Sequence, residues 1–190
     1  MKKQSSALNG TVEFNKARKE ALEWLEMFVV SVLVVVLLFT FVFRMVGISG
    51  SSMENTVFEN ERVLIRSAFY TPEQGDIVVI SRDYMQKKDD PIIKRVIATE
   101  GQEVYLDFES NTVYVDGVAL NEPYVKGSLS MGSGMQNNPH VVAENCVFVL
   151  GDHRSVSLDS RAMGDIKEEY ILGKAFLRVY PFESISVLEL

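Results

Sequence analysis

The stretch MFVVSVLVVVLLFTFVF, from Met27 to Phe43, runs seventeen residues without a charge and constrains the chain more than any other feature. As a helix it would extend ~26 Å at ~1.5 Å per residue, close to the ~30 Å of a bilayer's hydrocarbon core. Trp24, Leu25, Met45 and Val46 lengthen it, Trp24 suits a membrane interface, and Arg44 can snorkel. A cleavable leader has a shorter core followed by small residues. This one stays bulky to its end, so it reads as an uncleaved anchor over 27–46. The polar tail, 1–26, is expected to turn helical from about Phe14. It carries Lys2, Lys3, Lys16, Arg18 and Lys19, against Arg44, Arg62 and Arg66 soon after the run. The positive-inside bias therefore puts the N-terminus in the cytoplasm and residues 47–190 outside, a bias softened by Arg44 at the exit end.

Beyond the anchor the pattern is of short strands. Arg62–Arg66, Asp76–Ser81, Ile92–Ala98, Val104–Leu106, Thr112–Val115, Val118–Leu120, Cys146–Leu150 and about Tyr170–Tyr180 are apolar and rich in β-branched residues. Asp116-Gly117 marks a hairpin turn, and residues 126–140, rich in Gly, Ser and Asn, read as a loop. No stretch outside the anchor has a long amphipathic helical period, so the domain is expected to be mainly β. Of 19 basic and 26 acidic residues, five and four precede Met27, which leaves 14 and 22 after it, about −8. Such a domain does not suit nucleic acid. The single Cys146 excludes an intrachain disulfide, and with only His140 and His153 there are too few ligands for an ordinary zinc site.

Three places could carry chemistry. Val46 to Thr56 crowds serines and glycines just past the anchor. It reads either as a flexible linker or as a turn presenting a nucleophilic serine beside free N–H groups. A serine needs a base, but His140 lies in a polar loop and His153 among charges at a strand end, positions more typical of surface residues. Lys94 is the better candidate. Ile92, Lys94, Val96 and Ala98 alternate onto one strand face, where Lys94 is the only charge. It is either an edge lysine that deters aggregation or a buried amine whose pKa falls with desolvation. Its neighbour Arg95 points the other way and stays protonated. The third place, Gly151 to Gly164, is dense in Ser, Asp and Arg and fits a functional loop or a solvated turn.

Together, from about residue 20 to residue 180, these pieces resemble the bacterial type I signal peptidases. Gly50-Ser-Ser-Met53 resembles the nucleophile box, Gly75 to Ile80 a structural box, Lys94 to Ile97 the box of the general base, and Gly151 to Gly164 the last box. They stand in the family's order behind the anchor. The resemblance implies Ser52 as nucleophile and Lys94 as base, with Ser157 orienting the lysine and Asp159 pairing with Arg161. Three departures stand out: Asn55 where Pro is usual, His153 where Asn is usual, and Thr99 to Gln102 in place of a Pro-Gly-Asp run. Asn55 is expected to loosen its turn, because proline would fix φ there. Gly50 offers no side-chain donor, so an oxyanion hole would rest on backbone N–H groups, that of Ser52 first.

The expected fold is a mainly β catalytic domain behind a transmembrane helix, with a small β insert at about 103–145. The expected activity is removal of signal peptides from exported preproteins by a Ser-Lys dyad. Ile48, Val57 and Ile93 are candidates to line shallow substrate pockets. Expected partners are secretory preproteins and the lipid bilayer, with the translocation machinery a further candidate; no metal or other cofactor is called for. Two alternatives stay open: an anchored β-domain that binds exported chains without cutting them, and a Ser-Lys self-cleaving regulator of related fold.

Overall fold

The computed structural model describes residues 2–68, 70–81, 91–132 and 137–188. Residues 133–136 of the Gly/Ser-rich loop therefore lie outside the described part. The chain divides into a helical unit and a β unit that begins at Phe43.

Helix α1 spans Lys2–Phe41 without a break, starting well before the position near Phe14 that the tail's composition suggests. No proline interrupts this stretch, and the interior Gly10 costs a helix only ~1 kcal/mol. One part, Arg18–Thr40, is long and apolar enough to cross a membrane. Within it Ser31 and Thr40 donate their hydroxyls back to Met27 O at 2.8 Å and Val36 O at 2.7 Å, as polar groups in hydrocarbon must.

The helix stops short of Val46, where the apolar run had been taken to end. Phe43–Gly47 instead forms β1, paired antiparallel with β2 (Arg62–Arg66) from Phe43↔Arg66 to Gly47↔Arg62. Apart from Arg44, apolar residues continue from Phe41 through Val46, so hydropathy does not separate the two. The ladder with β2 pairs one edge of this segment's backbone.

The remaining strands are β3 (Ile77–Ile80), β4 (Ile92–Thr99), β5 (Glu103–Asp107), β6 (Thr112–Val115), β7 (Val118–Ala119), β8 (His140–Val141), β9 (Cys146–Leu150), β10 (Ile166–Lys167), β11 (Ile171–Tyr180) and β12 (Ser186–Val187). The main sheet runs β1-β2-β11-β3-β4-β9-β10, with β12 on β11. A smaller one runs β7-β6-β5-β8. His140, expected in a loop, thus opens a short strand, held by Asp165 at 2.7 Å from its Nε2.

Burial explains why the central strands lack a clean alternation. In β3, Ile77 and Val79 join a core with Met53, Val57, Val63 and Ile65, whereas Val78 and Ile80 join another with Val96, Val147 and Val149. Both faces are covered, so every position is apolar. A third core unites Val104, Leu106, Val113 and Val115 of the small sheet with Ile97, Phe148 and Leu150 of the large one. The insert shares its core with the main sheet.

The long strand β11 serves β2 at one end and β3 at the other, and its register shifts between Ile171 and Gly173. Gly173 has φ +153°, and a Cβ there would stand 2.4 Å from Arg66 O. Gly173→Ala is expected to destabilise the full-length protein by more than ~1 kcal/mol, read as a lower melting temperature in detergent. An unchanged melting temperature would show that β2 can yield.

Candidate active site

Between β1 and β2 the chain makes a closed loop. Ile48 N donates to Glu61 O at 2.8 Å and Asn60 N to Ile48 O at 3.0 Å, which pins its two ends together. Met53 is buried within it and its carbonyl accepts from Thr56 N and Val57 N, so the middle of the loop is rigid. Gly50, at φ +89°, supplies the left-handed turn just before Ser52. Arg178 of β11 reaches Glu61 at 3.1 Å and so ties the loop to a strand far along the chain.

Asn55 differs from its expected role. Its φ is +85°, a conformation that proline, held near −65°, cannot take. The residue does not relax a proline-type turn; it makes another turn, one that Asn tolerates well.

Lys94 belongs to β4, an interior strand between β3 and β9, so the edge-lysine reading fails. It is 3 % exposed. The ladder with β9 ends at Arg95↔Leu150. Val96 exchanges bonds with Gly75 and Asp76 on the β3 side, so alternation turns the Ile93 carbonyl toward the side where β9 has stopped. That carbonyl accepts from Lys94 Nζ at 2.8 Å, and the same amine reaches Ser52 Oγ at 2.7 Å.

The loop after β9 closes the arrangement. His153 N donates to Ser52 O at 3.0 Å. At Gly151 an added Cβ would lie 2.2 Å from Ser157 Oγ and 2.5 Å from Ser52 O, so only glycine permits this packing. Ser157 Oγ is buried there and has no hydrogen-bond partner among the described residues. Asp159 caps the short helix α2 (Ser160–Met163) and accepts from Arg161 Nε and Nη2, both at 2.8 Å, and from Gly151 N at 3.1 Å. Arg161 also donates to Arg154 O at 2.6 Å. This buried pair therefore fixes both ends of the loop that touches Ser52.

Ile48, Val57 and Ile93 fall in one apolar cluster with Met53. Val57 is wholly buried, while Ile48 and Ile93 keep slight exposure. Sequence reasoning missed the Arg95–Asp152 pair. Arg95 donates from Nε at 2.9 Å and Nη2 at 2.7 Å, Thr56 donates to the same carboxylate, and the Tyr124 ring lies 3.8 Å from the guanidinium. Burial first, then the charge of Glu122, push the Tyr124 phenol up and keep it neutral. The available signal was an arginine inside an otherwise apolar strand, which demands a buried acid.

The family model for "Signal peptidase, peptidase S26" matches residues 21–180. The chain belongs to this family. Signal peptidase IB of Staphylococcus aureus (strain COL) is 34% identical over 186 residues, covering 89% of this chain and 94% of its own. A probable signal peptidase I-2 of Synechocystis is 35% identical over 174 residues, covering 87% and 77%. A crystal structure of a signal peptidase I from Enterococcus faecalis aligns with a TM-score of 0.46 and 25% identity, over 56% of this chain and 98% of that one. Membership of the signal peptidases makes this chain a hydrolase that acts on preproteins with signal peptides, and its apolar helix has the length and composition that fit a membrane anchor.

Arg161→Met would leave the Asp159 carboxylate buried without its cation. Breaking such a pair from one side is expected to cost ~3–5 kcal/mol. Urea unfolding of the detergent-solubilised protein measures it, and a loss under ~1 kcal/mol would show the pair to be dispensable for the loop.

Proposed function

We propose that Ser52 is the nucleophile and Lys94 the general base of this signal peptidase. The 2.7 Å contact between Ser52 Oγ and an almost fully buried lysine amine carries the reading. Burial disfavours the ammonium form, so the amine is biased toward the state that can accept a proton. In acylation, Lys94 takes the proton from Ser52 Oγ as that oxygen attacks the carbonyl carbon after the signal peptide. The C–N bond then breaks, and Lys94 returns the proton to the departing amine. In deacylation, Lys94 draws a proton from water as its oxygen attacks the ester carbonyl, the C–O bond to Ser52 breaks, and Lys94 returns the proton to the Ser52 oxygen.

The oxyanion is stabilised by backbone donors, the first being Ser52 N–H, which has no acceptor among the described residues. The substrate lies extended along the edge of β4 before Arg95, where the β9 ladder stops, and pairs with it as an added strand. Ile48 and Ile93 line its side-chain pockets, with Val57 behind them. Ser157 orients the Lys94 amine, and its otherwise unpartnered hydroxyl beside Gly151 favours that role.

Ser52→Ala and Lys94→Met are each expected to abolish preprotein cleavage without unfolding the protein. Lys94→Arg is expected to fail too, since a guanidinium stays protonated. The active form is the unprotonated amine, so the wild-type rate rises with pH through one ionisation and levels off below free lysine's ~10.4. A fully active Lys94→Arg variant, or a rate still climbing at about pH 10, would remove Lys94 from the role.

We also propose that the tail is cytoplasmic and the β unit extracytoplasmic, with the bilayer and the translocation machinery as partners. The basic residues ahead of the apolar run support this orientation. Protease added to cells stripped of their wall is expected to digest the β unit and spare the tail. Digestion of the tail with a protected β unit would reverse the assignment.

A further inference from the structure

One segment of the insert, Glu122 to Lys126, lies across every element that carries the dyad. Glu122 accepts from Arg154 Nη2 at 2.6 Å and Nη1 at 3.2 Å. Tyr124 covers the Arg95 guanidinium, and its carbonyl accepts from Asn55 Nδ2 at 3.4 Å. Lys126 bridges in parallel to His153: its N–H donates to Asp152 O at 2.8 Å, and its carbonyl accepts from Arg154 N at 2.7 Å. Its side chain then turns the other way, with Nζ 2.8 Å from Glu54 Oε2, two residues past the nucleophile.

Lys126 is thus joined to both sides of Ser52. Its backbone holds the residues flanking His153, whose N–H grips Ser52 O, and its ammonium holds Glu54. His153 Nδ1 stands 3.3 Å from the same Glu54 oxygen, so the three side chains form one cluster. The hydrogen bond from Lys126 holds the Glu54 carboxyl below its usual range. At the next residue, Gly127 has φ +78°, and a Cβ there would stand 2.6 Å from Ser155 Oγ. The segment is seated closely on the loop after β9.

We infer that Lys126 is a positioning residue for the peptidase reaction: through Glu54 and the backbone around His153, the insert clamps the turn that aims Ser52 at Lys94. This rests on Ser52 being the nucleophile. A nucleophile must be held to a fraction of an ångström, and ~1 Å of misplacement can cost about 100-fold in rate. A clamp of this kind acts on kcat. A contact with the substrate would act on KM instead, and a merely structural contact would move the melting temperature.

The test reverses the two charges in the full-length, detergent-solubilised enzyme, with a signal-peptide-bearing preprotein as substrate. Lys126→Glu and Glu54→Lys are each expected to lower kcat about tenfold, with KM and melting temperature nearly unchanged. The double reversal is expected to recover most of that loss, because the ion pair is rebuilt with opposite polarity. Gly127→Ala, which lifts the segment off the loop, is expected to lower kcat in the same way. Single variants with wild-type kcat, losses confined to KM, or a double variant no better than the product of the singles would each overturn the clamp. Ser52→Ala is run alongside. If it still cleaves, the nucleophile assignment fails; if it is inert while the reversals stay fully active, only the clamp fails.

Discussion

The arrangement depends on one short contact, between the hydroxyl of Ser52 on a loop and the amine of Lys94 inside a sheet. A lysine on an interior strand is costly to bury unless its amine finds partners. Here it finds them because β9 stops at Leu150, before it can cover the Ile93 carbonyl. The end of that ladder does two things at once. It exposes a carbonyl that turns the lysine toward Ser52, and it leaves β4 with an edge along which an extended substrate can lie. Had β9 continued, the carbonyl would be paired and the edge closed. The geometry of the proposed dyad and the open edge of β4 thus follow from the same end of the ladder.

Around this contact the protein spends its buried charges. Arg95–Asp152, Arg154–Glu122 and Arg178–Glu61 each tie a different segment to the loops at Ser52 or after β9, and Asp159–Arg161 braces the latter loop from within. The three cores beneath are apolar. Buried ion pairs add little net stability compared with packed hydrocarbon, because desolvation offsets their attraction. What they supply is direction: a bidentate arginine accepts one placement of its partner, whereas an apolar contact slides. Loops without regular hydrogen-bonding ladders need that direction, and the loops at this site are of that kind.

Much of this was legible in the residues. The apolar run, the strands from Arg62 to Arg66 and from Cys146 to Leu150, and the mainly β class follow from local patterns. Lys94 stood out as a lone charge on an apolar face, whereas Ser52 was singled out among its neighbouring serines only by the resemblance of Gly50 to Met53 to the family's nucleophile box. The boundary of the anchor was not legible, because Phe43 to Gly47 is as apolar as a helix end and becomes a strand only by pairing with β2. The order of the sheet was hidden for a similar reason. β11 lies between β2 and β3 although 104 residues separate it from the first and 90 from the second, and nothing local to either strand encodes that pairing. Arg95 was noticed only as the neighbour of Lys94. Its partner Asp152 and its cover Tyr124 come from two distant loops, so the pair emerges only once the fold brings them together.

The departures from the family pattern also make sense at the level of the backbone. Position 153 contributes its N–H to the Ser52 carbonyl, and any residue but proline has one, so histidine serves where asparagine is usual. Its ring is free to join Glu54 and Lys126. At position 55 the change goes further, because the φ of +85° is closed to proline. The side chain gained there is a donor, and it reaches the Tyr124 carbonyl in the segment that crosses the site. A rigid turn with no donor has been replaced by one held from outside. The rigidity that proline would have built into the loop is here supplied by contacts with the insert.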